Sequence, residues 1–204
     1  MASKFRDEGY RILPSLLAPA RAESLQRRAL ELAALGVTRL TDPMVPNTPA
    51  LYGHPEMDDL MQELCPVIEA EAEAQLYPTY SYLRIYKTGD YFDRHTDRAS
   101  CELSVSLNLG RDAGSAWPLW IEKDDVPRSI ALEPGSAVLY LGCELPHWRH
   151  PFPGRQSVQV FLHYVDQGGP YAHWKHDRRE ALGTPADTRD LALPAGAAVP
   201  NPVL

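Results

Sequence analysis

Two textures of apolar and polar positions divide the chain. Over residues 16–35, Leu25, Ala29, Leu32 and Ala33 recur at helical spacing while Arg21, Arg27, Arg28 and Glu31 take the other face. Gly36 is placed to stop this helix, because glycine enters the left-handed conformation after a last helical turn at no steric cost, and Ser15 is placed to cap its start. From Pro55 a second helical pattern runs through Met57, Leu60, Met61 and Leu64. Pro66 must kink that helix or begin another, and Val67, Ile68, Ala72 and Leu76 continue its stripe. Amphipathic helices of this kind cover one face of a sheet. Ahead of them residues 5–13 predict a short strand ending at Pro14, and the prolines and asparagine of 41–52 predict an irregular connection.

After Pro78 the pattern changes to short alternating runs, which predict strands near 80–86, 91–95, 102–109, 117–122, 128–132, 136–141 and 157–165. Breakers separate them at 110–114, 124–127, 134–135 and 151–154. Short strands following helices predict a mainly β fold, a jelly-roll barrel with N-terminal helices packed on one side. The expected organisation is one domain over 1–180, with helical support at 15–77 and a barrel core at 80–166. The aromatic and charged segment 170–177 is placed to close over part of the barrel. Residues 181–204, rich in Ala, Pro and Gly, predict an extension with too few large apolar side chains to pack.

Composition narrows the function classes. A formal net charge of -7 without a long Lys/Arg block argues against a nucleic-acid-binding surface. No run of about 18 apolar residues exists to span a membrane, and the first residues lack the apolar core of a signal peptide, so a cytoplasmic protein is expected. Cys65, Cys101 and Cys143, without paired spacing, suit a reducing compartment. Arg84, Lys87, Arg94, Arg98, Arg149 and Arg155 gather around one region of this acidic chain, where local positive charge favours small anions. The oligomeric state is not legible from the sequence.

That region carries the candidate chemistry. A turn at Lys87-Thr88-Gly89-Asp90 leads into an extended run holding His95 and Asp97, and residues two apart on an extended chain project from one face. An imidazole nitrogen and a carboxylate oxygen can thus meet one ion, and a second histidine would complete the facial triad of non-haem Fe(II) sites. His147, His150 and His163 are the candidates, although His150 precedes Pro151, which biases its backbone. A zinc cluster of Cys143, His147 and His150 lacks a fourth ligand and leaves His95 and Asp97 without a role. Glu69, Glu71 and Glu73 form a solvated face.

The ordered set Tyr86-x-x-Gly89, His95-x-Asp97, His147 and Gly154-Arg155 leading into a strand resembles the Fe(II)/2-oxoglutarate-dependent dioxygenases of the prolyl-4-hydroxylase-like branch, over residues 80–166. The resemblance implies a double-stranded β-helix and an enzyme that hydroxylates an unactivated C–H bond with O2, releasing succinate and CO2. It implies Fe(II) held by His95, Asp97 and His147, and 2-oxoglutarate held by Arg155 at its C5 carboxylate and by Tyr86, with ascorbate as a candidate reductant. Asp97 points to hydroxylation, since the related halogenases carry a small residue there. Strand alternation places Arg84 and Tyr82 on the face of Tyr86, and Asn108 on the face of Ser104 and Ser106. With Arg149 at the pocket rim and Trp120 available for stacking, these residues form the expected substrate wall. Such a wall suits a polar, anionic small molecule, an amino acid or a peptidyl residue. The alternative is a non-catalytic, cupin-like metal-binding or sensor module, which has no need of an arginine clamp.

Overall fold

The alternating runs after Pro78 pair into two antiparallel sheets in a computed structural model, which describes residues 4–40, 42–112, 114 and 116–184. In chain order the elements are α1 (Lys4–Glu8), β1 (Tyr10–Leu13), α2 (Pro19–Ala34), β2 (Ala50–Tyr52), α3 (Pro55–Ala72), β3 (Leu76–Lys87), β4 (Phe92–His95), β5 (Leu103–Arg111), β6 (Leu119–Lys123), β7 (Val126–Ile130), β8 (Ala137–Leu141), β9 (His147–Arg149) and β10 (Gln156–Asp166). One sheet runs β1-β8-β5-β10-β3-β2 and the other β4-β9-β6-β7, the two layers of a jelly-roll.

The helices follow their patterns with local departures. Ala22, Leu25, Ala29 and Leu32 are the buried side of α2. Its end is a Schellman turn: Gly36, at φ 72°, donates to the Ala33 carbonyl, and Val37 donates to Leu32. Its start is set by Pro19 in the first turn after Ala18, not by Ser15, which lies in the preceding turn. Pro66 neither divides nor ends α3. It lies on the exposed side, where water can take the carbonyl that a proline leaves unbonded. Val67 is 46% exposed and outside the stripe, and Leu76 opens β3 because Glu73, in the left-handed conformation, has already ended the helix. The short α1, β2 and β9 were not predicted; each is too short to show a period.

α2 packs on β5 and β3, and α3 on β3 and β10. On β10, Val158, Val160, Leu162 and Tyr164 are fully buried, and the Tyr164 hydroxyl donates to the Met61 carbonyl of α3 at 2.9 Å. The helices therefore take the apolar face of the large sheet. Its other face, with Ser157, Gln159, Phe161 and His163, is left for the barrel interior. Cross-strand pairs extend that inner surface: Ser157 opposite Tyr86, Gln159 opposite Arg84 and Asn108, Phe161 opposite Tyr82 and Ser106, and His163 opposite Ser104.

Beyond β10, the turn Ala172–Arg178 packs against β3. Asp177 receives Arg98 in two hydrogen bonds of 2.7 Å and the Tyr52 hydroxyl at 2.5 Å, and Arg179 pairs with the buried Asp58 at 3.0 Å. The Gly183 N–H also donates to Asp58, at 2.8 Å. Most of the predicted extension at 181–204 lies outside the described residues. No helix among the described residues is long and apolar enough to cross a membrane.

Candidate metal centre

β4 and β9 pair so that His95 stands directly opposite His147, with ring centroids 4.4 Å apart. His95 Nδ1 lies 2.7 Å from the Asp93 carbonyl and His147 Nδ1 2.9 Å from the Leu145 carbonyl. A carbonyl only accepts, so each Nδ1 carries a proton and each Nε2 is turned to Asp97; in the neutral ring that Nε2 offers the lone pair a metal takes. Those Nε2 atoms lie 3.6 and 3.5 Å from Asp97 Oδ1. Asp97 follows the end of β4, held by its N–H on the Gly142 carbonyl at 2.8 Å. Ser104 Oγ donates to Oδ2 at 2.8 Å, which leaves Oδ1 for the histidines. Gly142 permits this approach: a Cβ there would stand 2.5 Å from Asp97 Oδ2.

His95, Asp97 and His147 thus bring three donor atoms within 4.8 Å of one another. Burial alone would raise the Asp97 carboxyl, but the neighbouring His147 and His95 override it and hold the group well below the ordinary carboxylate range. An anion between two oriented imidazoles is the donor set that an Fe(II) ion completes. Asp97, Cys101 and His163 also lie close together, but burial pushes the Cys101 thiol up, and only a thiolate ligates well. His150 is exposed, and among the described residues it is not gathered with Cys143 and His147.

His163 stands behind the centre. Its Nδ1 is 2.9 Å from Ser104 Oγ, its ring lies against Tyr80 at 4.5 Å, and burial pushes its pKa down to about 4. An unfolded histidine titrates near 6.5, so between these values the unfolded chain binds the proton first and stability falls as pH falls. We expect the metal-free protein to lose about 2 kcal/mol to His163 between pH 7 and pH 5. Urea unfolding should show this loss and His163→Gln should remove it; an unchanged slope in the variant would assign the loss to other groups.

The centre opens on a cavity lined by Met44, Tyr82, Arg84, Phe92, Tyr140, Phe161 and His163. Arg84 and Tyr82 face inward, as alternation predicts. Tyr86 is buried beside them, its hydroxyl accepting from Arg84 Nη1 at 3.1 Å and its ring meeting Trp117 edge-on at 4.6 Å. Asn108 is interior too, but its amide is committed to the Leu132 carbonyl at 2.7 Å and to Gln159 at 3.2 Å.

Three expectations are corrected. The Arg155 side chain is 92% exposed. The inward parity holds for Ser157, Gln159 and Phe161, but pairing begins only at Gln156, and Asp112 accepts the N–H groups of both Arg155 and Gln156, which ties this turn to the outer rim. Arg149 is not at the rim but inside. It follows His147 by two residues on β9, so it shares the metal-facing side, and it is 2% exposed. Its guanidinium lies 4.5 Å from the Trp117 ring centroid, donating to the Trp117 carbonyl at 2.5 Å and to Ser106 Oγ at 3.3 Å, while Nε has no partner. Burial pulls its pKa down to about 10, and no carboxylate among the described residues offsets this. Trp120 is the third correction. It pairs with Trp148 at 6.0 Å on the outer face of the small sheet, because the neighbouring positions Ile121 and His147 take the inner one.

Asp42 escaped the sequence reading altogether. It reaches in from the irregular segment before β2, accepts the Tyr82 hydroxyl at 2.8 Å and pairs with Arg84. Loop residues have no period, so no pattern announced it.

No family profile matches the sequence, and no curated protein does. Solved structures do match in fold. A prolyl-4-hydroxylase from Pseudomonas putida aligns at 18% identity over 78% of this chain and 94% of that one, with a TM-score of 0.64. A non-haem alpha-ketoglutarate-dependent epimerase of nogalamycin biosynthesis aligns at 12% identity over 80% and 78%, with a TM-score of 0.67. A Trichoplax adhaerens prolyl hydroxylase, in complex with a peptide fragment of hypoxia inducible factor, aligns at 13% identity over 80% and 86%, with a TM-score of 0.65. The chain therefore has the double-stranded β-helix fold found in prolyl hydroxylases and in other non-haem, alpha-ketoglutarate-dependent enzymes.

Proposed function

We propose that the protein is an Fe(II)- and 2-oxoglutarate-dependent oxygenase in which His95, Asp97 and His147 hold the metal and Arg149, in place of Arg155, holds the distal carboxylate of 2-oxoglutarate. The observation that carries this reading is a buried arginine without a counter-ion among the described residues, on the same strand and face as the histidine proposed to hold the metal. A planar guanidinium suits a carboxylate, and an anion offsets the cost of burying its charge. An inert metal-binding module has no use for such a group. When bound, Fe(II) with 2-oxoglutarate and O2 supplies the oxidant for hydroxylating an unactivated C–H bond, with succinate and CO2 as co-products.

The chain's own residues orient and exclude. Trp117 and Ser106 fix the Arg149 guanidinium, while Phe92, Tyr140 and Phe161 wall the metal side against water. Arg84 and Tyr82 line the cavity, and Arg84 Nε has no partner, which supports a polar, anionic small molecule, amino acid or peptidyl residue as substrate. Cys65, Cys101 and Cys143 are free, in keeping with the reducing cytoplasm we propose as the protein's setting.

Anaerobic absorption spectroscopy tests the reading. Adding Fe(II) and then 2-oxoglutarate is expected to raise a metal-to-ligand charge-transfer band in the visible; no band at saturating concentrations would overturn it.

A further inference from the structure

Two arginines enter the barrel interior, Arg84 from β3 and Arg149 from β9, and both are almost fully buried. Between them stand Tyr86, which accepts from Arg84, and Trp117, which carries Arg149 on its face. A dicarboxylate entering such a site meets a cation on either side. Resting on the function proposed above, the problem is one of orientation: 2-oxoglutarate must present its keto end to the metal, and two competing arginines would offer its distal carboxylate two anchors.

We infer that Asp42 settles this choice, silencing Arg84 with an internal carboxylate so that the cosubstrate is anchored by Arg149. The Asp42 side chain is fully buried and held from both oxygens. Oδ1 accepts the Met44 N–H at 2.9 Å, and Oδ2 accepts the Tyr82 hydroxyl at 2.8 Å and meets the Arg84 guanidinium. The other cations around the barrel are also matched: Lys87 with Asp90, Arg98 with Asp177, and Arg111 with Glu133. Arg149 is the exception among these in donating to neutral acceptors alone among the described residues; the open Nε it shares with Arg84 and Arg98. Unequal compensation of two similar cations selects one binding mode by making the other unfavourable, which is specificity by exclusion. Arg84, its charge matched by Asp42, keeps an open Nε for a polar group on the substrate side of the cavity.

The test is a rescue, read as 2-oxoglutarate affinity by calorimetry on the full chain loaded with nickel, which fills the metal site without turnover. Arg149→Leu is expected to weaken binding at least about 100-fold, in keeping with the loss of a buried charged partner. Adding Asp42→Asn frees Arg84 to take the carboxylate, and should restore at least about tenfold of that loss. No recovery in a folded double variant overturns the inference. A second variant decides the matter should Asp42→Asn fold poorly. Asp42→Asn/Arg84→Met removes the buried pair whole, a change proteins often tolerate. It is expected to bind 2-oxoglutarate within about threefold of the parent, as for an anchor lying elsewhere; a loss above about tenfold would make Arg84 the anchor and overturn the inference. Failure of the parent itself to bind 2-oxoglutarate would instead count against the proposed function.

Discussion

Asp97→Ala and His147→Ala are each expected to abolish succinate formation from 2-oxoglutarate, while His150→Ala retains it. Each of the first two removes one of three donors that the fold has already oriented: Asp97 through Ser104 and the Gly142 carbonyl, His147 through the Leu145 carbonyl. Loss of an outer-shell partner alone typically costs roughly 10- to 100-fold in metal affinity or activity. Loss of a ligand must exceed that, because the open face of the metal is then no longer defined. His150 contributes its carbonyl to the Trp117 indole N–H at 2.6 Å and leaves its ring exposed beside Trp120. Alanine keeps that carbonyl. Metal content by elemental analysis, with succinate assayed beside it, checks the set; an inactive His150→Ala with an active His147→Ala would overturn the ligand assignment.

The second large effect separates two arginines six positions apart in the chain. Arg149→Leu should raise the 2-oxoglutarate requirement steeply, by roughly 2 to 5 kcal/mol, the cost of truncating one partner of a buried hydrogen-bonded charge pair. That corresponds to roughly 30- to 4000-fold in apparent affinity. Arg155→Ala should leave the requirement close to its original value, since its side chain is in solvent and its backbone contacts to Asp112 survive the substitution. A 2-oxoglutarate titration of both variants decides between them: a steep shift in Arg155→Ala with none in Arg149→Leu would show that the turn at 154–156 is folded inward in the working enzyme.

What the sequence determined by itself is what depends on short range. Helical spacing marked the buried stripes of α2 and α3, and alternation after Pro78 marked the long strands. The two-residue spacing of His95 and Asp97 put both on one side of an extended chain, and alternation put Arg84, Tyr82 and Tyr86 on a common inner face. These hold because side-chain direction repeats every two residues in a strand and every 3.6 in a helix, whatever the element packs against. What only the tertiary structure decided lies at strand ends and in loops, where one residue of register reverses a side chain's direction. Arg155 precedes the first paired residue of β10 and so escapes the parity of Ser157 and Gln159. Arg149 is carried inward by β9, a three-residue strand too short to announce a period, and the same strand turns Trp148 outward with Trp120. Asp42 lies far from Arg84 in sequence, and only closure of the loop over the barrel makes it the counter-ion that distinguishes one interior arginine from the other.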